Sequence, residues 1–142
     1  MSRIGKYFTL KELTVTHENM DNTPGINACK NLNTMVKNLL DPVRETIGEP
    51  IKITSGYRSL AVNRAVGGSM KPISQHTKGE AADMKCSDNA RLFRVIRDHF
   101  DFDQLIWEKG NDVQPEWVHV SYKAIGNRNH VLKYKNGKYI QL

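Results

Sequence analysis

Residues 74–83 read SQHTKGEAAD and lead from a turn-rich loop into a predicted strand. Strand alternation over residues 80–84 places Ala81 and Asp83 on one face. His76 offers an imidazole nitrogen and Asp83 an anionic oxygen, and both are good zinc donors. Gly79, between them, permits a backbone conformation closed to other residues, so the loop can fold back on itself. The rest of the chain must then supply a third ligand, a base and a group that holds a substrate.

A second predicted strand, over residues 117–122, supplies the third ligand. Its alternation places His119 on the same face as Trp117. Two histidines and one aspartate leave the fourth tetrahedral position of zinc open to water, as in catalytic sites. Glu116, three residues before His119, is a candidate base for that water. Arg58, which follows a glycine turn, is a candidate for stabilising an oxyanion.

Helices are predicted from caps and from apolar spacing. Thr9 and Glu12 form a capping box that begins a short helix. Apolar residues recur at helical spacing over residues 26–47, with Gly48 as a stop. Pro42 lies inside this long helix and is expected to kink or divide it. Two further helices are predicted over residues 60–66 and over residues 89–100, the latter with Ser87 as its N-cap.

Strand patterns recur through the second half of the chain. Asn136-Gly137 separates the last two strands and is a strong hairpin signal. The pattern predicts an α+β fold with a mainly antiparallel sheet and N-terminal helices packed on one face. The predicted strands cover residues 50–54, 80–84, 104–107, 117–122, 131–135 and 138–142.

Length and composition predict one domain over residues 1–142, ending in a hairpin at about residues 131–142. Cys29 and Cys86 are far apart and form no CxxC motif, so two free thiols are expected. We find neither a membrane-spanning apolar run nor a secretory signal. The net charge of +6 suggests an anionic partner, but the cations are scattered and match no nucleic-acid-binding motif. A monomer is assumed.

The motifs together resemble the zinc D-Ala-D-Ala peptidases. The resemblance rests on Ser74-x-His76-x-x-Gly79-x-Ala81-x-Asp83, on Glu116-x-x-His119 and on Ser55-Gly56-Tyr57-Arg58. That family includes D-Ala-D-Ala carboxypeptidases, the vancomycin-resistance dipeptidase and phage L-alanyl-D-glutamate endolysins, and it shares its fold with the hedgehog signalling domain. Residues 8–13 and Gly67-Gly68-Ser69 resemble its small, single-domain branch, so the likeness covers about residues 8–122.

The resemblance implies a role for each matching residue. It implies His76, Asp83 and His119 as ligands of one zinc ion, Glu116 as the base for the attacking water, and Arg58 as the group that stabilises the tetrahedral intermediate. It places Ser74 near the terminal carboxylate of the substrate. The implied activity is hydrolysis of peptide bonds in peptidoglycan stem peptides or D-Ala-D-Ala-like substrates. The absence of an export signal then implies release by another protein, as for a phage enzyme, or a leader that has been removed.

Several alternatives stay open at the level of sequence. Strict alternation turns Glu116 away from His119, unless Pro115 holds the chain out of the ladder. Glu108 is the second candidate base, and its alternative role is to orient a ligating histidine. Trp117 is expected to be a packing residue or a pocket wall that contacts the substrate, and to take no part in the chemistry. His17, His99 and His130 are interpreted as structural or surface residues.

Two other functions compete with the peptidase. One is a zinc-stabilised cell-wall or protein-binding module of the same fold that has lost catalysis. The other is a basic nucleic-acid binder, which would show steep salt dependence without any dependence on zinc.

Overall fold

Eight strands and five α-helices are present in the computed structural model, which describes residues 2–142. The α-helices are α1 (Leu10–Leu13), α2 (Ile26–Met35), α3 (Asp41–Ile47), α4 (Leu60–Ala65) and α5 (Asn89–His99). The strands are β1 (Arg3–Ile4), β2 (Phe8–Thr9), β3 (Lys52–Ser55), β4 (Ala81–Lys85), β5 (Gln104–Glu108), β6 (Trp117–Ser121), β7 (His130–Lys135) and β8 (Lys138–Gln141). A π-helical segment, Val36–Leu40, joins α2 to α3, and a 3₁₀ turn, Gln75–Lys78, precedes β4.

Six strands form one mixed sheet in the order β3-β4-β6-β5-β7-β8. All neighbours are antiparallel except β5 and β7, which run parallel. β1 and β2 make a separate two-stranded ribbon. The predicted α+β fold with a mainly antiparallel sheet is therefore confirmed. The predicted C-terminal hairpin is also present, and its turn has positive φ at both Asn136 and Gly137.

The two faces of the large sheet have different surroundings. Met84, Leu105 and Val120 are fully buried on one face and join the core formed with α2, the π segment, α3 and α5. On the opposite face Asp83 pairs directly with His119 across β4 and β6. Because side chains alternate along a strand, the helices cover one face and leave the other free to line a cleft.

The capping box before α1 is confirmed. The Thr9 hydroxyl accepts a hydrogen bond from the Glu12 backbone N–H at 3.2 Å. The Glu12 carboxylate in turn accepts one from the Thr9 backbone N–H at 3.1 Å. Two helix-end donors are thus satisfied reciprocally.

The predicted long helix passes through Pro42 by changing its hydrogen-bond pattern. The Asp41 backbone N–H bonds to the Val36 carbonyl, five residues back, immediately before the proline. Pro42 then occupies the first turn of α3, where its missing N–H is tolerated. The expected division therefore occurs as a π segment within a continuous helix. Gly48 ends α3 in the left-handed conformation, as predicted.

The N-cap of α5 is Asp88, and the predicted assignment to Ser87 is wrong. The Asp88 carboxylate accepts from the Arg91 backbone N–H at 3.0 Å, which is the N-cap to N3 bond. Ser87 instead donates its hydroxyl to Glu49. Helix α5 begins at Asn89, so Asp88 is the residue directly before it. Ser87 lies one position too early for its side chain to reach the first free N–H groups.

Candidate metal centre

His76, Asp83 and His119 converge from three separate elements. His76 lies in the 3₁₀ turn, Asp83 in β4 and His119 in β6. Each offers a ligand atom, and these atoms all lie within 4.8 Å of one another. His76 and Asp83 are buried, and His119 is partly buried. The sequence motif therefore corresponds to a real cluster of side chains in the fold.

The spacing of the ligand atoms fits a zinc ion. Nε2 of His76 lies 3.5 Å from one Asp83 oxygen, and Nδ1 of His119 lies 2.9 Å from the other. Four ligands at zinc distances in tetrahedral geometry lie roughly 3.3–3.6 Å apart. Only small shifts of these side chains would therefore be needed to hold zinc. Two imidazoles and one carboxylate leave a fourth position, as a catalytic zinc requires.

The ring orientation of His76 is fixed from behind. Its Nδ1 lies 2.7 Å from the Gly56 carbonyl oxygen, which can only accept, so Nδ1 carries the proton. Nε2 therefore carries no proton, so its lone pair is available to a metal ion, and it faces Asp83. Ligating histidines usually have such a partner, which sets the tautomer and orients the ring.

The backbone around His76 is held by its two flanking residues. The Ser74 hydroxyl caps the turn by accepting from the His76 N–H at 3.2 Å. Gly79 ends the turn with φ of +74°, and a Cβ there would lie 2.4 Å from the Ala28 carbonyl oxygen in α2. The expectation that Gly79 folds the loop back is thus confirmed, and close packing on α2 adds a second reason for glycine.

Protonation states in the cluster suit metal binding. Burial lowers the pKa of His76, although Asp83 partly opposes this, so the imidazole is neutral at pH 7. Burial alone would raise the pKa of Asp83, but the close approach of His76 and His119 holds that pKa well below its usual range. A neutral histidine and an ionised aspartate are the forms that ligate zinc.

Arg58 lies directly beside the ligands. Its Nη2 is 3.5 Å from the Asp83 carboxylate, and its side chain is 16% exposed. Nε donates to the Ser55 hydroxyl at 3.0 Å, and Nη1 donates to the Asn63 side-chain oxygen at 3.2 Å. These bonds use three of the five guanidinium N–H groups. A rigidly held cation with free donors thus lines the cleft near the metal ligands.

Asn63 was not foreseen and completes the support of Arg58. It is fully buried in α4, and its amide nitrogen donates to the Ser69 carbonyl at 3.0 Å. Gly68 packs so closely that a Cβ there would lie 1.9 Å from the Asn63 oxygen. Asn63 therefore links Arg58 to the Gly67-Gly68-Ser69 loop. A polar residue on the buried side of a short helix was the only available signal in the sequence.

The structure does not bring Glu116 to the metal-ligand group. Glu116 is exposed and lies outside the cleft, and its backbone carbonyl accepts from Asn89 at the start of α5. Its N–H bonds to the Glu108 carbonyl at 2.9 Å, although Glu108 pairs in register with Trp117, so the ladder is irregular immediately before β6. Strict alternation therefore does not fix the sheet face on which the Glu116 side chain lies.

Glu108 occupies the cleft instead. It is 9% exposed and lies on β5 with its side chain on the same face as Ile106, the residue that pairs with His119. Glu108 is thus diagonal to His119 across adjacent strands, about 7–8 Å between Cα atoms. Burial raises its pKa to about 7, with His119 opposing and Asp83 adding to the rise. A carboxyl group poised near neutrality can both accept and return a proton.

Ser74 and Trp117 both line the cleft. The Ser74 hydroxyl is engaged in capping the turn, as described above. The Trp117 ring is partly buried, and Lys109 lies 5.5 Å above its centroid. The indole N–H is buried and has no hydrogen-bond partner among the described residues. Trp117 therefore sits at the wall of the cleft, where sequence alternation had placed it.

The cleft that contains these candidate ligands has a volume of about 690 Å³. Arg58 and the Gly67–Ser69 loop line part of its wall. Four residues that follow β6 also line it: Lys123, Arg128, Leu132 and Tyr139. A separate open depression of about 370 Å³, between the end of α5 and Val131, contains none of the ligands.

The remaining side chains singled out in the sequence lie away from the ligands. His17 and His99 are exposed and His130 is partly buried in β7, and none belongs to the ligand cluster. Cys29 and Cys86 are both free thiols, as expected. Within residues 2–142, no helix combines the length and the apolar character that crossing a membrane requires.

Comparison with known proteins agrees with this geometry. A family model described as Peptidase M15 matches residues 6–121, which include all three ligands, Arg58 and Glu108. No curated protein matches the chain significantly.

Proposed function

The chain belongs to the Peptidase M15 family of metallopeptidases, and from this premise we propose that it is a zinc-dependent hydrolase of peptides. The observation that carries the proposal is the convergence of His76, Asp83 and His119 within 4.8 Å, on the one sheet face that the helices leave uncovered. Arg58 and Glu108 line the same cleft. A zinc ion bound there would polarise the scissile carbonyl and lower the pKa of a bound water to about 7.

In the proposed mechanism Glu108 moves the proton. Its position diagonal to His119 and its pKa of about 7 allow it to take a proton from the attacking water and return it to the leaving amine. We prefer Glu108 to Glu116, because Glu116 lies outside the cleft. The assignment of Glu116 as the base, which the motif resemblance implies, remains a prediction. Substituting each glutamate in turn compares the two candidates directly.

Arg58 is proposed to stabilise negative charge on the carbonyl oxygen. Its guanidinium is fixed by Ser55, Asn63 and Asp83 before any substrate arrives, so little reorganisation is needed during the reaction. Removing one donor of this kind typically costs about 10²–10³ in kcat. Ser74 and Trp117 are proposed to contact the substrate from the cleft wall.

We propose peptidoglycan stem peptides or D-Ala-D-Ala-like peptides as the substrate class. The motif resemblance supports this choice, and the net charge of +6 would favour approach to an anionic cell wall. The cleft has a volume of about 690 Å³, so it has room for a peptide chain that continues beyond the scissile bond.

The test is hydrolysis of defined peptidoglycan fragments, followed by mass spectrometry of the products. We expect cleavage that stops on chelation, returns with one equivalent of zinc, and is lost in His119→Ala. Mass spectrometry also identifies the bond, and so separates carboxypeptidase, dipeptidase and endopeptidase activity. Cleavage that persists after complete zinc removal would contradict the mechanism. One equivalent of tightly bound zinc without turnover on any fragment would instead support the non-catalytic binding module.

A further inference from the structure

Two cationic residues of the cleft wall, Lys123 and Arg128, follow the residues of the family match, and we call this pair the cationic arm. The match ends at residue 121, and Lys123 and Arg128 both line the cleft beyond it. Within residues 2–142, no hydrogen bond or ion pair joins either residue to the candidate metal ligands or to Arg58. This arm is therefore not needed to assemble the metal centre, and its chemistry calls for a separate explanation.

Arg128 is held in place by a buried carboxylate. Asp103 is fully buried and accepts from Arg128 Nε at 2.9 Å and from Nη2 at 2.8 Å, a bidentate pair. The Arg128 backbone N–H also donates to Asp103 at 3.2 Å. The Arg128 side chain nevertheless stays 52% exposed. Bidentate pairing orders the guanidinium and leaves its remaining donors free to face a ligand.

Lys123 adds a second cation to the same arm. Its ammonium lies 3.9 Å from Asp103, and its side chain is 38% exposed. Asn127 fixes the local backbone by bonding to both the Lys123 N–H and its carbonyl. Lys78 and Glu80 also line the cleft.

The arm carries excess positive charge. Lys123 and Arg128 carry two positive charges against one carboxylate, Asp103, which leaves a net charge of +1. Because Asp103 is buried behind Arg128, the surface presented to the cleft is more positive than that sum. A partly enclosed cationic surface of this kind favours an anionic group on the ligand.

Strand register gives the approximate distance along the sheet between Asp103, which holds Arg128, and the strand position beside His119. Ile106 pairs with His119, and Asp103 precedes Ile106 by three residues. Three residues of strand span about 10 Å. An extended peptide advances roughly 3.3–3.6 Å per residue, so this arm is about two to three residues from the bond held at the metal centre.

We propose that Lys123 and Arg128 form a carboxylate-binding subsite, which selects peptides with a free carboxylate about two to three residues from the scissile bond. The inference rests on the proposed peptidase function and adds the substrate class that the cleft prefers. The carboxylate can be a C-terminus or a branch or side-chain group. Both sources share the chemistry that two cations recognise.

The test compares peptide acids with their amides by titration calorimetry on the full chain. One pair differs only at the C-terminus and a second pair only at a branch carboxylate. We expect one acid to bind about tenfold more tightly than its amide. The pair that shows the preference identifies the source of the carboxylate. In Lys123→Gln the preference should fall to about twofold.

Lys138→Gln is the matched control. Lys138 lies at the start of β8, is exposed and does not line the cleft, so this variant should keep the full acid preference. Arg128→Lys retains the charge next to Asp103 and should weaken the preference without unfolding the chain. Replacing Arg128 by a neutral residue is a poor test, because it would leave a buried carboxylate unpaired.

The outcomes separate this subsite from the proposed function. An acid preference that Lys123→Gln weakens, in a protein without turnover, supports the subsite and counts against the peptidase. Efficient hydrolysis with equal affinity for acids and amides supports the peptidase and overturns the subsite. Equal losses of acid preference in Lys123→Gln and Lys138→Gln also overturn it, because the effect would then come from general charge.

Discussion

At the scale of single residues, the two glutamates near the metal ligands have very different environments. Glu108 is buried and lines the cleft, whereas Glu116 is exposed and does not line it. We expect Glu108→Gln to lower kcat/KM by about 10²–10⁴, since general acid–base groups contribute this much. Glu116→Gln should stay within about threefold of the parent enzyme. Steady-state kinetics on one peptide substrate checks both values, and the reverse order would restore Glu116 as the base.

Glu108 should also make the metal-free protein less stable as the pH rises. Its pKa is raised from 4.5 to about 7 by burial, so the folded state holds a proton in this range that the unfolded state has released. The free energy of unfolding should therefore fall between about pH 4.5 and pH 7. We expect a loss on the order of 2 kcal/mol, allowing for partial solvent screening.

Denaturant unfolding in chelator at pH 5 and pH 8 measures this effect. Other carboxylates also change the stability over this range, so the quantity of interest is the difference between parent and Glu108→Gln. Glu116→Gln serves as the control, because Glu116 is exposed and does not line the cleft. If the pH dependence of the free energy of unfolding is the same in the parent and in Glu108→Gln, the raised pKa is not that of Glu108.

At the scale of elements, the 3₁₀ turn depends on its contact with α2. A Cβ on Gly79 would need both a left-handed backbone and space that the Ala28 carbonyl already fills at 2.4 Å. Gly79→Ala should therefore lower the free energy of unfolding by about 2–4 kcal/mol. It should also weaken zinc binding, because His76 belongs to the same turn.

Gly48→Ala is the control for this prediction. Gly48 has nearly the same φ, +76°, but nothing lies within 4 Å of the site of its Cβ. It should lose only about 1 kcal/mol, from the left-handed backbone alone. Denaturant unfolding and zinc titration of both variants distinguish strain from crowding. Equal losses in the two variants would mean that the contact with α2 is unimportant.

The sequence predicted the cluster of candidate ligands because the signals for these residues are local. His76 and Asp83 lie within ten residues, and period-two alternation placed His119 on the correct face of its strand. Glu108 could be named only as a second candidate, because its position relative to His119 depends on which strands are neighbours. Asn63 and the Asp103–Arg128 pair were missed, because their contacts are set by the packing of elements and have no short-range motif.

At the scale of the whole molecule, a bound metal would join elements that are otherwise separate in the chain. The ligands come from the 3₁₀ turn, β4 and β6, so an ion at this centre would stabilise the folded state over the unfolded state. Free zinc at 100 times its dissociation constant should add about 2.7 kcal/mol. We expect the melting temperature to rise by roughly 10 °C.

Differential scanning calorimetry with zinc and with chelator measures this rise. His119→Ala should abolish it. His99→Ala should not, because His99 is exposed at the end of α5 and lies outside the ligand cluster. A similar rise in both variants would indicate that zinc binds elsewhere on the protein.

The segment that follows β6 joins the sheet by placing β7 parallel to β5, after all three candidate ligands have been supplied by earlier elements. All three candidate metal ligands lie before residue 122, whereas Lys123 and Arg128 lie in the connection from β6 to β7, and Tyr139 lies in β8. Exchanging this last segment could thus redirect specificity without rebuilding the reaction centre. Any replacement must still provide a strand parallel to β5, since an uncovered β5 would present free backbone groups to other chains and invite aggregation.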